Sequence, residues 1–405
     1  MVILKVAILA DFAEERWPSM DLIAEMLHRH LSSEHSSSIQ PTLVRPSFIP
    51  VFGRLPNSIV TGTAHNADRI LNRFFRYPLW LHAHRDRFDL FHVADHSYSH
   101  LVHHLPGDRT VVSCHDIDTF GCLLEPPSEH RSWPFRAMAR YILRGLQRAS
   151  RVICVSVATQ QALIRNRLVP ADRISVIPNG VHPAFIAPIV SCASAATDRM
   201  LGKPEPDALE VLHVGSTIPR KRIDVLLRTF AGLVEEFPSA RLVRVGGGFT
   251  LEQQRLARAL GIDGRIFEMP FVERDVLAAI YRRAAVVLLP SEAEGFGLPL
   301  IEAMACGRTV VASDLPVLRE VGGDAAIYCP VADVPVWIET VARVLRESAA
   351  GGRPARDRRD AAIARATRFS WSDYAAKHVD VYRGLSASTV ANAGATVGWR
   401  SSAAG

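Results

Sequence analysis

The sequence has few lysines, scattered cysteines and no long apolar run. Only four of its 47 basic residues are lysines, at positions 5, 203, 221 and 377. No stretch approaches the roughly 18 uncharged apolar residues that a membrane-spanning helix needs. The six cysteines form no Cys-x-x-Cys pair, which disfavours a zinc or redox motif. The apolar start is interrupted by Lys5 and has no charged leader, so we expect no export signal and reduced thiols in a cytoplasmic protein.

The rest of the composition is that of a globular protein. In 405 residues, 48% are hydrophobic, 22% are charged, and glycine and proline contribute 25 each. These values exclude a disordered, collagenous or disulfide-scaffold chain, and the length suggests two or three domains. The net charge of +6 comes almost entirely from arginine. A single arginine therefore indicates little, whereas a lysine in a chemically suitable place indicates more.

Short apolar strands alternate with amphipathic segments in both halves of the chain. The predicted strands are residues 3–9, 90–94, 110–114, 151–155, 174–177, 211–214, 242–245, 265–268, 285–289, 309–312 and 326–329. Strands that are apolar throughout and separated by helices predict parallel sheets covered on both faces. We therefore predict an α/β fold with two doubly wound, Rossmann-like domains that face a cleft.

The same patterns predict the domain boundaries. We expect an N-terminal domain over residues 1–190 and a C-terminal domain over residues 208–368, joined by the Ala-, Ser- and Pro-rich segment Ile186–Asp207. A closing helix is predicted at 369–385 and a disordered tail at 386–405. Periodicity does not indicate the domain on which the closing helix packs.

One segment of the second half combines glycines, acids and a helix start directly after a predicted strand. It reads Ser291-Glu-Ala-Glu-Gly-Phe-Gly-Leu-Pro-Leu-Ile-Glu-Ala-Met-Ala-Cys-Gly307. Gly295 and Gly297 allow close approach of a ligand, and a helix N-terminus favours an anion. Glu294 and Glu302 would repel phosphate but accept hydrogen bonds from sugar or ribose hydroxyls. The segment predicts a sugar-nucleotide site, with a solvated loop and one capping acid as the alternative.

A second segment opens an amphipathic helix after another predicted strand. It reads Val214-Gly-Ser-Thr-Ile-Pro-Arg-Lys-Arg222. Arg220 and Lys221 can hold phosphate oxygens, and Ser216 and Thr217 add hydroxyl groups. Lys221 is the stronger indication because lysine is rare here, while for Arg220 a solvated helix start stays open.

Most of the 16 histidines lie in the first half, and one of them follows a predicted strand. His115 directly follows the predicted strand 110–114, at the position where ligands of open α/β sheets bind. His92, His96 and His100 recur at a helix-like spacing that could hold a metal. A strand-exit loop with structural or acceptor-lining histidines explains the same spacing equally well.

These segments resemble the family-four retaining glycosyltransferases, which have the GT-B fold. The resemblance rests on Glu294-x7-Glu302, Arg220-Lys221, Val155-Ser-Val-Ala-Thr159 and Ile177-Pro-Asn-Gly-Val-His182. It implies that Arg220 and Lys221 hold the donor diphosphate and that Glu302 binds the ribose. It further implies that Glu294 and His115 contact the transferred sugar. The predicted donor-binding residues are Ser19, Gly215, Ser216, Thr217, Phe271, Gly295, Phe296, Gly297, Leu298 and Glu302.

The resemblance also implies an activity. It is the transfer of a hexose from a nucleotide diphosphate sugar to a saccharide or lipid-linked acceptor, with retention and without a metal or other cofactor. A mannose-type donor is favoured by resemblance alone. Asp116-x-Asp118 is similar to the metal-binding motif of another glycosyltransferase fold, but the two sheet-forming halves argue against that fold. The chain departs from the family in its first loop, which lacks a Gly-Gly turn and leaves Ser19 placed to cap the first helix, and at Ser216, where an arginine is common.

Two alternative functions remain at this point. A sugar-nucleotide epimerase shares the two-domain architecture, and a basic protein could bind nucleic acid or a membrane surface. Arginines at 136, 140, 144 and 148 share one helix face, but no aromatic platform or nucleic-acid motif accompanies them. We predict that this face is solvated or contacts anionic lipid at the inner face of the plasma membrane, and we predict no nucleic acid partner.

Overall fold

The protein folds into two compact α/β units. The computed structural model describes residues 3–52, 62–124, 131–203 and 209–398. The first unit consists of residues 1–179 together with the C-terminal segment from Trp371, and the second is Gly180–Ser370. The second unit is thus one continuous stretch, whereas the first is built from two.

A six-stranded parallel sheet forms the centre of the first unit. Its strands are β1 Leu4–Leu9, β2 Ile39–Val44, β3 Leu90–Val93, β4 Thr110–Cys114, β5 Arg151–Cys154 and β6 Ile174–Val176. Their spatial order is β2-β1-β3-β4-β5-β6, and all neighbours are parallel. The winding reverses between β1 and β3. Ligands of such sheets bind beyond the carboxyl ends of the strands at that switch point.

The edge strand β2 was not predicted from the sequence pattern. Its sequence IQPTLV carries Pro41 in the middle, and proline normally weakens the prediction of a strand. The strand lies at the edge of the sheet, where it pairs with β1 from Leu4↔Ile39 to Leu9↔Val44. Proline is tolerated there because an edge strand does not need every N–H for pairing.

Helices and short turns connect these strands. The helices are α1 Pro18–Glu34, α2 Gly62–Leu71, α3 Tyr77–His84, α4 Gly121–Leu124, α5 Trp133–Arg148 and α6 Val157–Arg165. Asn72–Arg76 form a π-helical turn that joins α2 to α3. Turns of 3-10 helix lie at Ala13–Glu15, Arg85–Arg87, His96–His104, Gly107–Arg109, Asp118–Phe120 and Ala171–Arg173.

Helix α1 begins before the residue that we expected to cap it. The N-cap is Trp17, no side chain caps the helix, and Pro18 is the first helical residue. Proline favours this position because its missing N–H would have no acceptor and its φ angle is already helical. The prediction that Ser19 caps the helix is therefore wrong. Ser19 is exposed within the first turn, where backbone amides lack intrahelical acceptors.

The second unit has its own six-stranded parallel sheet. Its strands are β7 Glu210–Val214, β8 Arg241–Val245, β9 Ile266–Met269, β10 Val286–Leu289, β11 Val310–Ser313 and β12 Ile327–Cys329. The order is β12-β11-β10-β7-β8-β9, so the winding reverses between β7 and β10. The loops after these two strands are therefore the expected ligand-binding loops.

The helices of the second unit include one in the predicted linker. They are α7 Pro183–Ile186, α8 Ser191–Leu201, α9 Ile223–Glu236, α10 Leu251–Ala259, α11 Arg274–Arg283, α12 Leu298–Ala305, α13 Pro316–Gly322, α14 Val334–Ala350 and α15 Arg353–Ala366. Helix α8 packs against α11 within the segment that we assigned to a linker. Its buried residues Ala193, Thr197 and Leu201 are mostly small, so they form no apolar stripe that periodicity would detect.

The last helix, α16 Trp371–Gly398, belongs to the first unit. Its Ser372 Oγ lies 2.6 Å from Glu34 Oε2 at the end of α1. Its Tyr382 hydroxyl lies 2.5 Å from Nδ1 of His92 on β3. These contacts answer the question that periodicity left open.

The bounds of α16 differ from the predicted closing helix at 369–385. The helix begins two residues later and continues beyond residue 385, where we expected the tail to begin. Residues 399–405 lie outside the described residues.

Apolar strands form the core of each unit. Every residue of β3, β4, β10 and β11 is buried, as expected for strands covered on both faces. The predicted α/β class with two doubly wound sheets is confirmed. Within the described residues, no helix combines the length and apolar character needed to cross a membrane.

Candidate functional site

Two loops at the carboxyl edge of the second sheet bring Arg220, Lys221 and Glu294 together. The first loop follows β7 and the second follows β10, the neighbouring strands at the switch point. Lys221 Nζ lies 2.6 Å from Glu294 Oε1, and Arg220 Nη1 lies 3.5 Å from Glu294 Oε2. Arg220 also donates to the Ala293 carbonyl at 2.8 Å, and its own carbonyl accepts from the Glu292 amide at 2.9 Å. Two motifs that are 73 residues apart thus form one cluster.

The Glu294 side chain is buried but held in its ionised form. Burial opposes ionisation, but the charges of Lys221 and Arg220 and hydrogen bonds from Lys221 and Ser291 outweigh it and lower the pKa of Glu294. The Ser291 hydroxyl donates to Oε1 at 2.8 Å. The Lys221 side chain is 11% exposed, so its ammonium group is fixed in place. The two cations and one carboxylate leave a net positive charge beside the sheet edge.

Helix α12 starts at the glycine turn that was predicted to approach a ligand. Its N-cap is Gly297 at φ 89°, where a Cβ atom would meet Leu318 Cδ2 at 2.7 Å. Gly295 is buried in the same turn, and Leu298 is the half-buried first helical residue. Phe296 packs edge-to-face on Phe369 at 5.7 Å between ring centroids and is buried. Its side chain thus supports the turn from within the core.

Glu302 lies inside α12 and is buried against Tyr281 of α11. The Tyr281 hydroxyl donates to Oε2 of Glu302 at 2.9 Å. Burial raises the pKa of Glu302 to about 7, against the smaller opposing effects of this hydrogen bond and the Arg274 charge. Glu302 therefore changes its charge near neutral pH, unlike Glu294. A hydroxyl donor would favour its ionised form.

The backbones of Gly215 and Gly246 come into close contact at the ends of β7 and β8. A Cβ atom on Gly246, at φ 128°, would lie 2.1 Å from the carbonyl oxygen of Gly215. That oxygen accepts a hydrogen bond at 2.9 Å from Arg244, whose side chain is fully buried. Burial lowers the pKa of Arg244 to about 10. Neither Arg244 nor Gly246 was predicted from the sequence, although the run Gly246-Gly247-Gly248 after a strand was a usable signal.

The remaining predicted donor-binding residues of this unit lie in loops at the same edge. Ser216 and Thr217 are half-buried after β7, and the Thr217 carbonyl accepts from Gln253 Nε2 at 3.2 Å. Phe271 follows β9 and is 57% exposed. The Met269 carbonyl at the end of β9 accepts from the amides of Gly246 and Gly247, which joins the β8 and β9 loops.

His115 lies at the carboxyl end of β4 in the first unit and is buried. Its Nε2 lies 2.7 Å from the Ala94 carbonyl oxygen, so this nitrogen carries the proton. Burial lowers the pKa of His115, which keeps the ring neutral. Nδ1 is then an acceptor, and no donor reaches it among the described residues. This nitrogen could accept a hydrogen bond from a ligand hydroxyl.

Asp11, Asp95 and His96 form a buried polar cluster, whose two acids were not among the predicted site residues. Asp11 follows β1 and Asp95 follows β3, so both lie at the switch point of the first sheet. Burial, followed by the Asp95 charge, raises the pKa of Asp11 well above its usual range. Burial also opposes ionisation of Asp95, but the hydrogen bond and charge of His96 lower its pKa. An acid directly after an apolar strand was the available signal.

The π-helical turn connects to this edge through Arg73. Its guanidinium lies 4.1 Å from the centre of the Tyr98 ring, and Nη1 lies 3.7 Å from Glu15 Oε2. Arg69 Nε lies 3.4 Å from the other oxygen of Glu15. The segment from α2 to α3 is therefore tied to the loop that follows β1.

The three histidines with helix-like spacing have separate partners. His92 Nε2 lies 2.8 Å from Ser113 Oγ, and His100 Nε2 lies 2.9 Å from the Arg73 carbonyl oxygen. His96 Nδ1 lies 3.1 Å from Asp95 Oδ1. In the part of the chain that the structure describes, no group of three or more His, Cys, Asp or Glu residues could hold a metal ion.

Two of the motifs that carried the resemblance contain helix caps. The Ser156 hydroxyl accepts from the Thr159 amide at 3.1 Å at the start of α6. His182 Nδ1 accepts from the Ala184 amide at 3.2 Å at the start of α7. These residues fix the chain at the carboxyl ends of β5 and β6.

Two doubly wound parallel sheets with polar loops at their carboxyl edges are the architecture of the GT-B fold. The sequence matches two family models that together span both units. Residues 208–347 match Glycosyl transferases group 1, and residues 29–185 match Glycosyltransferase Family 4. The chain therefore belongs to the family-four glycosyltransferases.

Curated relatives include two differently named enzymes. The chain is 38% identical to the D-inositol 3-phosphate glycosyltransferase of Xylanimonas cellulosilytica, over 52% of this chain and 51% of that protein. It is 28% identical to the O-antigen chain mannosyltransferase B of Escherichia coli, over 79% and 84% of the two chains. The match thus spans about half of the inositol phosphate enzyme and most of the mannosyltransferase.

Solved structures share the fold over nearly the whole chain. Sucrose-phosphate synthase from Thermosynechococcus elongatus has a TM-score of 0.72 at 20% identity, covering 95% of this chain and 100% of that chain. Anabaena HepE in complex with UDP and glucose has a TM-score of 0.70 at 17% identity, covering 94% and 100%. At these identities the likeness establishes the GT-B fold.

Proposed function

We propose that this protein is a retaining hexosyltransferase that transfers a sugar from a nucleotide diphosphate donor to an acceptor hydroxyl, without a metal. The cluster of Arg220, Lys221 and Glu294 carries the proposal. Two fixed cations suit a diphosphate, and a buried carboxylate beside them suits sugar hydroxyls. Membership of the glycosyltransferase family supports this assignment of the cluster.

In the proposed reaction, the cluster stabilises the departing nucleotide diphosphate. The bond between the anomeric carbon and the diphosphate oxygen breaks, so negative charge builds on that oxygen. Lys221, Arg220 and the first amides of α12 supply fixed positive charge for it, the role that a metal ion has in other transferases. Because the Lys221 ammonium is already held by Glu294, it needs little reorganisation during the reaction.

Glu302 is assigned to the ribose of the donor. Its ionised carboxylate can accept hydrogen bonds from two neighbouring hydroxyls. Because the pKa of Glu302 lies at about 7, such binding should strengthen as the pH rises through neutrality. In the first unit, the free Nδ1 acceptor of neutral His115 is assigned to a sugar hydroxyl.

The donor is proposed to be of the mannose type and the acceptor a saccharide or a lipid-linked saccharide in cell-surface polysaccharide or glycolipid synthesis. The name of the Escherichia coli relative, O-antigen chain mannosyltransferase B, supports this choice. The Pro219-Arg220-Lys221 step supports it through the family resemblance.

The test combines nucleotide binding with turnover. Calorimetry should compare GDP with UDP, and a panel of nucleotide sugars should then be assayed for nucleotide release. We expect Lys221→Ala and Glu294→Ala to lower turnover by about a hundredfold or more. Arg258→Ala, an exposed cation on α10, is the matched control and should leave turnover unchanged.

Two outcomes would contradict the proposal. Turnover near that of the wild type in both cluster variants would remove the cluster from the site. Formation of an epimerised nucleotide sugar in the absence of acceptor would instead identify an epimerase.

A further inference from the structure

The helical segment from α2 to α3 exposes a row of large apolar side chains on one face. Ile70, Phe75 and Leu79 are 53%, 59% and 70% exposed. The Tyr77 amide donates to the Asn72 carbonyl five residues earlier, so the helix makes one π turn here. The step from Ile70 to Phe75 is one π turn, and the step from Phe75 to Leu79 is one α turn. The inserted residue therefore aligns the three side chains into an apolar ridge.

A loop that is bound to the other side of this helix exposes three more apolar side chains. Ile49, Val51 and Phe52 are each about two fifths exposed, at 40%, 42% and 41%. Asp68 Oδ1 accepts from the amides of Val51 at 2.8 Å and Phe52 at 3.0 Å. The Asn72 side chain bonds both the amide and the carbonyl of Ile49 at 3.0 Å. Three large apolar side chains aligned on one helix face, beside a loop with three more, exceed the scattered single residues of an ordinary surface.

Helix α5 lies beside the ridge and carries exposed arginines. His100 Nε2 lies 2.9 Å from the Arg73 carbonyl, and His103 Nε2 lies 3.0 Å from the Tyr141 carbonyl. The turn that contains both histidines therefore joins the π turn to α5. The Phe74 and Tyr141 rings also approach directly, with centroids 6.5 Å apart.

The exposed side of α5 combines positive charge with an aromatic residue. Trp133, Arg140 and Arg144 lie at positions i, i+7 and i+11 of one helix face and are exposed, Trp133 by 77%. No aspartate or glutamate occurs between residues 131 and 150. We define Trp133, Arg140 and Arg144 as the arginine face.

We propose that the first unit docks on an anionic lipid bilayer through the apolar ridge and the arginine face. An exposed apolar row with adjacent arginines and a tryptophan matches the layered chemistry of a membrane interface. Apolar side chains enter the acyl boundary, tryptophan lies at the headgroup level, and arginines attract anionic phosphates. The opposite sides of this helix hold the buried Asp68, Asn72 and Tyr77, so the ridge itself is the part available for docking.

Docking of this kind would bring the carboxyl edge of the first sheet close to the lipid. Arg69 and Arg73 tie the ridge helix to Glu15 in the loop after β1, at the carboxyl edge of the first sheet. Delivery of a lipid-linked acceptor to that edge rests on the proposed function. Docking itself does not, because it is measured without donor or acceptor.

Vesicle co-sedimentation of the full chain tests the proposal. The probe is vesicles of phosphatidylcholine with and without phosphatidylglycerol, at low and high salt. The wild type should bind the anionic vesicles and release them at high salt, because the Debye length falls from about 10 Å at 0.1 M to about 3 Å at 1 M. Phe75→Ser with Leu79→Ser should weaken binding at least about tenfold. Arg140→Gln with Arg144→Gln should also weaken binding and reduce its salt dependence.

Matched controls come from the second unit. Leu251→Ser removes an apolar side chain that is 72% exposed, and Arg353→Gln removes an arginine whose side chain is 89% exposed. Neither should change vesicle binding. Circular dichroism melting of all variants verifies that they are folded.

Three results would overturn the proposal. The first is that the wild type does not bind anionic vesicles. The second is that the folded variant with Phe75→Ser and Leu79→Ser binds them as well as the wild type does. The third is that the wild type is a dimer and this variant is a monomer. The last result would identify a second copy of this chain as the occupant of the ridge. All three leave nucleotide binding by the second unit untouched.

Discussion

Replacing Glu302 with glutamine should abolish the pH dependence that this buried carboxyl imposes on stability. In the fold, burial raises the pKa of Glu302 from 4.5 to about 7. The folded protein therefore binds more protons than the unfolded chain between these two values, and stability falls as the pH rises across that window. The change in pKa corresponds to about 3 kcal/mol when complete. Glu302→Gln removes this cost and keeps an oxygen that can accept from Tyr281.

The assay is denaturant unfolding of wild type and variant at several pH values. Near pH 4.5 the two free energies of unfolding should be similar, because the wild-type carboxyl is still largely protonated in the fold. By pH 8 the variant should be the more stable protein by about 3 kcal/mol. A difference that stays constant between pH 4.5 and pH 8 would refute the reasoning.

Glu294→Gln is the internal control for the sign. The pKa of Glu294 is lowered in the fold, mainly because the charges of Lys221 and Arg220 outweigh its burial. Its contribution to stability is therefore present above the unfolded pKa of 4.5 and is lost as the pH falls through the folded pKa. Glu294→Gln should be less stable than the wild type at neutral pH and approach it in acid. The two glutamates of one motif should thus give opposite pH profiles.

Two further predictions concern the sheet edges. Gly246→Ala places a Cβ atom 2.1 Å from the Gly215 carbonyl oxygen, whereas Gly261→Ala, also at positive φ, meets nothing within 4 Å. Thermal unfolding should show a larger loss for Gly246→Ala than the roughly 1–2 kcal/mol expected of left-handed strain alone, and equal losses would contradict the clash. Because the pKa of Asp11 is raised and that of Asp95 is lowered, Asp11→Asn should gain stability over the wild type as the pH rises, while Asp95→Asn should lose it at neutral pH. In urea unfolding, an Asp11→Asn difference from the wild type that is the same at pH 5 and pH 8, or an Asp95→Asn protein as stable as the wild type at pH 7, would argue against the buried pair.

The sequence predicted those site residues that directly follow apolar strands. Glu294 lies 73 residues from Lys221 in the chain, but the carboxyl ends of parallel strands share one edge of the sheet. Recognising strands and reading the next few residues was therefore enough to bring the cluster together. His115 was found in the same way at the end of β4.

Other features depended on packing that the local pattern does not contain. Arg244 lies within the strand sequence RLVRV, where an arginine ordinarily indicates a solvated face. Helix α8 was not predicted because its buried face is formed by small side chains. The raised pKa of Glu302 depends on burial beside Tyr281, which is distant in sequence. The environment of each of these features is defined only in the folded protein.

The excess of arginine is a poor guide to the site for the same physical reason. Arg244 is buried inside the second unit, where it donates to the Gly215 carbonyl and lies 5.1 Å from the centre of the Phe249 ring. It therefore stabilises the backbone after β7. Arg222 is paired with Asp224 and Glu292. Lys221 instead meets a buried carboxylate at the switch point, where an incoming diphosphate can compete for it. Position at the edge of the sheet, rather than charge as such, separates the cations that hold the fold from those suited to hold a substrate.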